Sequence, residues 1–301
     1  MNKLVCDTSS RLDTYISSKT NLTRSQVKKL VDSNKIFVND KLVTKAGLIL
    51  KVNDKITYEE QVEEHIVPKK VDYQIVYEDQ YLLVINKPRG LVVHPAHGHL
   101  NDTLANGLAY DFSKTSEDIT SNFRMGIVHR IDKDTSGLLV VGKTLEAKKK
   151  LVDLVSKHLI NREYLALAYG FFKDKFFKVD APIGRDIKDR QKMAVNLING
   201  KEAVTHFTVI KQYQDVALLK CKLETGRTHQ IRVHLAYIKH PILGDPLYCS
   251  TKNKYLDQGQ LLHAYRLSFI HPFLNKKMVF YAPIDNYFKK VLTLVAENKL
   301  N

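Results

Sequence analysis

From residue 71 onward the chain is organised around short apolar runs: LLVIN (82–86), GLLVV (137–141), YLALAYG (164–170) and VALLKCKL (216–223). Runs of this length, bounded by polar residues, Gly or Pro, read as buried strands. Helical periodicity is confined mainly to Leu145–Ile160 and Thr228–Tyr237. Two helices cannot supply a crossover for every strand, so a regular doubly wound parallel sheet is excluded. The expected class is α+β (mixed α/β), with a mostly antiparallel sheet and helices on its flanks. A tail from Tyr287 to Asn301 reads as a terminal amphipathic helix. At 301 residues and 44% hydrophobic content, the chain can bury one large core and one small one.

The small core is expected in residues 1–58. An acidic, Pro-containing stretch, EEQVEEHIVPKK (59–70), follows and reads as a linker to the main body, 71–301. Leu12, Tyr15 and Ile16 share one helical face. Thr23 and Gln26 have capping-box spacing ahead of Val27, Leu30 and Val31, which predicts a second helix. IFV (36–38), the turn pair Asn39–Asp40, KLV (41–43) and a strand through Lys55–Tyr58 predict a small sheet that begins with a hairpin. Arg24, Lys28 and Lys29 fall on the solvent side of the second helix, in a unit with 11 Lys and Arg against 5 Asp. Such a face can neutralise nucleic-acid phosphates, and a merely solvated basic helix has the same pattern.

The formal net charge of +15 makes a nucleic acid the expected partner. Cys6, Cys221 and Cys249 form neither a C-x-x-C pair nor an even set, so a disulfide framework and a Cys-rich zinc site are both excluded. The N-terminal residues lack the apolar core of a secretory signal, and no run reaches the length of a membrane span. A soluble, cytoplasmic protein is expected.

The densest polar cluster is His129-Arg130-Ile131-Asp132-Lys133-Asp134-Thr135-Ser136-Gly137, between a short expected strand, MGIV (125–128), and LLVV (138–141). A loop at the edge of a rigid sheet can present reactive side chains. Gly137 to Thr144 fits the written P-loop pattern, but Leu138–Val141 are apolar and β-prone where a phosphate loop needs curled amides; Thr144 is expected to be a helix cap instead. His-Arg-x-Asp also occurs in protein-kinase catalytic loops, yet neither the Gly-rich loop nor Asp-Phe-Gly is present. His94, His97, His99 and His129 lack a carboxylate or cysteine partner at ligand spacing, so hydrogen-bonded structural roles are expected and no metal.

Four motifs then occur in order: NKPRGLVVHP (86–95), HRIDKDTSGLLV (129–140), REYLALAYG (162–170), and GRTHQIRVHL (226–235) with HPILGD (240–245). In that order they resemble the ribosomal large-subunit pseudouridine synthase family across nearly the whole chain. RLDTYI (11–16), TRSQVKKLVDSNKIFVND (23–40) and VNDKI (52–56) resemble the S4 RNA-binding domain, which narrows the likeness to the family's D group. Asn34 and Asp40 stand where the S4 domain usually has Gly, and Ile131 replaces the more usual Leu, a volume-conserving change.

The resemblance implies an RNA-modifying isomerase with no cofactor and large-subunit ribosomal RNA as substrate. Asp132 is implied as the catalytic carboxylate, which either attacks the sugar or removes a sugar proton. The target uridine must leave the base stack, and Arg130 either fills the vacated space, contacts phosphate or makes a structural ion pair. The likeness puts Arg227 opposite Asp132, as the charge-assisted partner that keeps it ionised. Tyr164 offers the uracil a ring face and a hydroxyl, and Ile231 an apolar wall. Lys133, Asp134 and Ser136 are expected to shape the loop.

Overall fold

The computed structural model describes residues 2–300 except 21, 60–65, 97, 114–124, 190, 252 and 254. Part of the expected linker therefore lies outside the described residues, as does His97. The chain separates into two compact units, Met1–Glu64 and His65–Asn301.

The first unit runs β1 (Asn2–Val5), α1 (Leu12–Lys19), α2 (Arg24–Asp32), β2 (Ile36–Val38), β3 (Lys41–Leu42) and β4 (Lys55–Tyr58). Its sheet has the order β1-β4-β2-β3, so β1 pairs antiparallel with β4 rather than the sheet beginning at the hairpin. Four residues with alternating burial are too few to announce β1 from sequence. The capping box at α2 is formed: Thr23 accepts from the Gln26 amide while the Gln26 side chain accepts from Thr23. Leu12, Ile16, Val27, Leu30 and Ile36 close the core. Asn34 and Asp40 both have positive φ, 58° and 60°. These are the positions where the S4 pattern has Gly, and Asn and Asp tolerate the left-handed region better than other residues with a Cβ.

The second unit continues with β5 (Gln74–Glu78), β6 (Leu82–Lys87), α3 (Leu104–Phe112), β7 (Ser136–Gly142), α4 (Leu145–Ser156), β8 (Asn161–Tyr169), β9 (Phe176–Asp180) and β10 (Ile183–Arg185). After these come β11 (Met193–Val195), β12 (Val204–Gln212), β13 (Val216–Leu223), α5 (Gln230–Tyr237), β14 (Leu262–Ile270), β15 (Lys277–Tyr281) and α6 (Asn286–Ala296). A nine-stranded sheet has the order β5-β6-β7-β14-β8-β13-β12-β9, with β15 on β14, while β10 and β11 form a separate pair. Among the described pairings only β7–β14 is parallel.

All seven residues of β7 are buried. Leu139 and Val141 face one core with Leu104 and Leu108 of α3 and Phe288 and Val291 of α6, while Leu138 and Val140 face another with Leu151 of α4. Burial on both faces is why this strand reads as an unbroken apolar run. It also disposes of the P-loop pattern, because Leu138–Val141 are strand and Thr144 caps α4 by accepting from the Ala147 amide. Gly137 is required where β7 meets β14: its φ is 113°, and a Cβ there would lie 2.3 Å from the Ala264 carbonyl oxygen. MGIV does not form the expected strand. Met125 and Gly126 turn through positive φ, leaving Ile127 a single bridge to Val141. No helix of the described residues is long and apolar enough to cross a membrane.

Candidate active site

The loop that leads into β7 is held from behind by the first motif. Lys87 is fully buried and donates to the carbonyls of Pro88, Leu91 and Lys133 at 2.8, 2.8 and 2.9 Å. Burial pushes its ammonium down to about 7. Arg89 donates to the Asp134 and Gln260 carbonyls and pairs with Asp285 at 3.2 Å. Ser136 donates to the same Asp285 at 2.6 Å, and Asp285 caps α6 through the Phe288 amide. Lys133, Asp134 and Ser136 thus have hydrogen bonds that fix the loop's path.

This loop, β8 and the start of α5 line a small, open pocket of about 60 Å³. Asp132, Tyr164, Arg227, Arg130 and Ile231 all line it. Asp132 Oδ2 accepts from Arg232 Nη1 at 2.8 Å, while Oδ1 lies 3.8 Å from His229 Nε2, beyond hydrogen-bond distance. One oxygen is pinned and the other faces the pocket. Arg232 also grips Asp245 in bidentate fashion, Nε to Oδ2 at 2.7 Å and Nη2 to Oδ1 at 2.9 Å. Burial works against the Arg232 charge, but the bonds to Asp245 and Asp132 outweigh it and raise its pKa further.

The structure corrects the expectation for Arg227. Its Nε donates to the Glu202 carbonyl at 2.8 Å, and it makes no bond to Asp132. α5 begins only at Gln230, so Arg227 lies on the approach to the helix, whereas Arg232 projects from its first turn towards both carboxylates. Sequence reasoning also missed His229, held at φ 57° with its Nδ1 2.8 Å from the Tyr248 hydroxyl, and Arg162, two residues before Tyr164.

Tyr164 is 5% exposed, and burial holds its hydroxyl above the usual range, so it stays protonated at neutral pH. Ile231 is buried at the pocket wall; Arg130 is exposed. His129 accepts from the Val140 amide at 3.2 Å, and burial pushes its imidazole down to about 3. His99 bonds Asp102 at 2.8 Å.

In the first unit Arg24, Lys28 and Lys29 are exposed. Arg24 Nη2 donates to Asp13 Oδ2 at 2.8 Å, leaving the two lysines without such a tie. Arg11 makes the other clasp on Asp13, at 3.0 Å through Nε and Nη2, and the two guanidiniums hold that carboxyl far below its usual range.

A carboxylate with one oxygen fixed and one open, beside a protonated tyrosine and an apolar wall, is equipped for attack on, or proton removal from, a sugar. The chain belongs to the RNA pseudouridylate synthase family, isomerases that act on RNA, whose model matches residues 81–237; an S4 domain matches residues 10–56. Among individual proteins, an uncharacterised RNA pseudouridine synthase of Bacillus subtilis is 44% identical over 96% of this chain and 95% of its own. The ribosomal large subunit pseudouridine synthase D of Zymomonas mobilis is 42% identical over 90% of this chain and 89% of its own. Human RNA Pseudouridylate Synthase Domain Containing 4 shares the fold, with a TM-score of 0.60 at 23% identity over 74% of this chain and 93% of that one.

Proposed function

We propose that this enzyme converts uridines of large-subunit ribosomal RNA to pseudouridine, with Asp132 as the catalytic carboxylate. The observation that carries this is the asymmetry of Asp132: Oδ2 is fixed by the Arg232–Asp245 pair, and Oδ1 is open to the pocket. The choice of RNA is supported by relatives named ribosomal large subunit pseudouridine synthase D.

In this reading the target nucleotide swings out of the RNA stack and its uracil enters between Tyr164 and Ile231. Arg130, at the exposed rim, fills the gap left in the stack. Asp132 then assists cleavage of the C1′–N1 bond, by attack on the ribose or by removal of a ribose proton. The uracil turns, and C5 joins C1′. Residues 1–58 act as an RNA-binding domain tethered through 59–70, with Arg24, Lys28 and Lys29 on phosphates, and raise the local concentration of substrate.

The test is to incubate wild-type and Asp132→Asn protein with large-subunit rRNA, precursor particles and tRNA, and to map pseudouridine by chemical labelling and reverse transcription. New stops in large-subunit rRNA with wild type, lost by about 10³-fold or more with Asp132→Asn, are expected. Stops confined to tRNA would overturn the substrate, and stops retained by Asp132→Asn would overturn the role of the carboxylate.

A further inference from the structure

Arg162 is anomalous among the three arginines of the pocket that are not exposed. Arg232 has two carboxylates and Arg227 a carbonyl. Arg162 has no ion pair or side-chain hydrogen bond among the described residues, and its Nε is buried without a partner. The adjacent Glu163 is already committed to Arg266 and Tyr265. The residue as a whole is partly exposed, so the orphan is the Nε–H, and a buried donor without an acceptor is costly.

Room has nevertheless been kept for it. A Cβ at Gly226 would lie 2.9 Å from both Nη1 and Nη2 of Arg162, so the guanidinium rests against bare backbone. Arg162 and Tyr164 are two apart on β8 and therefore project to the same face, into the same pocket. Arg130 is exposed, whereas Arg162 is partly buried and lines the pocket with Tyr164.

We propose that Arg162 is a catalytic residue that hydrogen-bonds a ring oxygen of the target uracil and stabilises the negative charge formed as the base departs. This rests on the reading above that the pocket holds the uracil. When C1′–N1 breaks, its electron pair stays on the ring, and the charge spreads over N1, O2 and O4. Asp132 meets the electron deficit at the ribose, by bonding C1′ or by taking the C2′ proton, and that step is reversed afterwards. C5 then bonds C1′ with the ring's electron pair, C5 loses its proton and N1 gains one, so the product is an isomer. A fixed guanidinium at a ring oxygen binds the charged ring more tightly than the neutral one, which is the condition for lowering the barrier.

The experiment compares wild type, Arg162→Gln, Arg162→Lys and Gly226→Ala in single turnovers with saturating enzyme. Two rRNA fragments are used, carrying uridine or 5-fluorouridine at the modified position, and loss of the N1-linked nucleoside is read after nuclease digestion. Fluorine makes the departing ring a better anion and lessens its need for help. Arg162→Gln should slow the uridine RNA by about 10²–10³-fold with the RNA Kd changed less than about twofold. The fluorinated RNA should lose at least about tenfold less. Arg162→Lys should recover part of the rate, and Gly226→Ala, which displaces the guanidinium without altering its charge, should reproduce the loss.

A raised Kd with an unchanged saturated rate would make Arg162 a phosphate contact and overturn the proposal. Equal losses on both RNAs would make it structural and do the same. Inactivity of the wild type on both RNAs would sink the parent reading; an active wild type matched by Arg162→Gln would sink this one alone.

Discussion

Each unit contains a carboxylate clasped by arginine, and the two are built differently. In the first unit the Asp13 side chain is 8% exposed, while its partners Arg11 and Arg24 are 51% and 59% exposed. In the second, Arg232 is 4% exposed, Asp245 fully buried, and Asp132 19% exposed. In the first unit only the anion is buried, whereas in the second the cation is buried together with one of its two anions. Asp13 also accepts from the backbone amide of Thr14, so its acceptor capacity is taken up locally. Asp132 receives one arginine bond and keeps an oxygen for the pocket. The contrast separates a carboxylate whose bonds are all local ties from one that retains an unbonded oxygen: strength of pairing does not distinguish them, but the unused oxygen does.

The comparison can be broken most severely at Arg232. Arg232→Met leaves Asp245 buried with only the backbone amides of Leu247 and Tyr248 as donors. It should cost about 3–5 kcal/mol in denaturant unfolding. Arg227→Met removes one bond to a carbonyl at the surface and should stay within about 0.5 kcal/mol. Similar costs for the two would mean that the clasp has been assigned to the wrong arginine.

A smaller effect follows from acid. Residues 1–58 contain no histidine, whereas the second unit buries His129 with its pKa pushed down to about 3. The unfolded chain takes up that proton near pH 6.5 and the folded chain does not, so this stability is complete above 6.5 and falls as pH drops. About 2 kcal/mol should be lost between pH 6.5 and 5. Asp13, held below the ordinary carboxyl value of 3.8, keeps its full contribution until about pH 4. Amide exchange should therefore show the second unit loosening first, and His129→Gln, whose side-chain oxygen can still accept from Val140, should remove that share of the slope.

The smallest effect concerns RNA affinity. Lys28→Ala and Lys29→Ala should each flatten the plot of log K against log salt by about one unit, with little change in saturated rate. Asp13→Asn should steepen the slope by releasing the two clasped guanidiniums. A drop in saturated rate with unchanged slope would contradict the division of labour between the units.

Much of this was legible in the chain, for identifiable reasons. β6 and β7 declared themselves because strands buried on both faces show as apolar runs, and β8 and β13 because their buried positions recur within short apolar-rich segments. Thr23 and Thr144 announced α2 and α4 because a cap is a local hydrogen bond. Asp132, Tyr164 and Ile231 were found through their motifs, and the fold brings them to one pocket. The arginine that meets Asp132 was not legible. GRTHQIR offers two, and which one faces the loop depends on where α5 begins, a boundary that sequence locates only to within a residue or two. The left-handed backbone at His229 and the unpaired state of Arg162 depend on contacts between distant segments, which local pattern cannot express.

The parallel junction of β7 with β14, together with the Ser136–Asp285 bond, also sets a timetable for biosynthesis. Ser136 meets its partner 149 residues later in the chain. At translation speeds of about 5–20 residues per second, the loop bearing Asp132 is made roughly 7–30 s before the residue that fastens it. A nascent chain stalled in that interval has Lys87 to hold the Lys133 carbonyl but still lacks the Asp285 bond that fastens the far end of the loop.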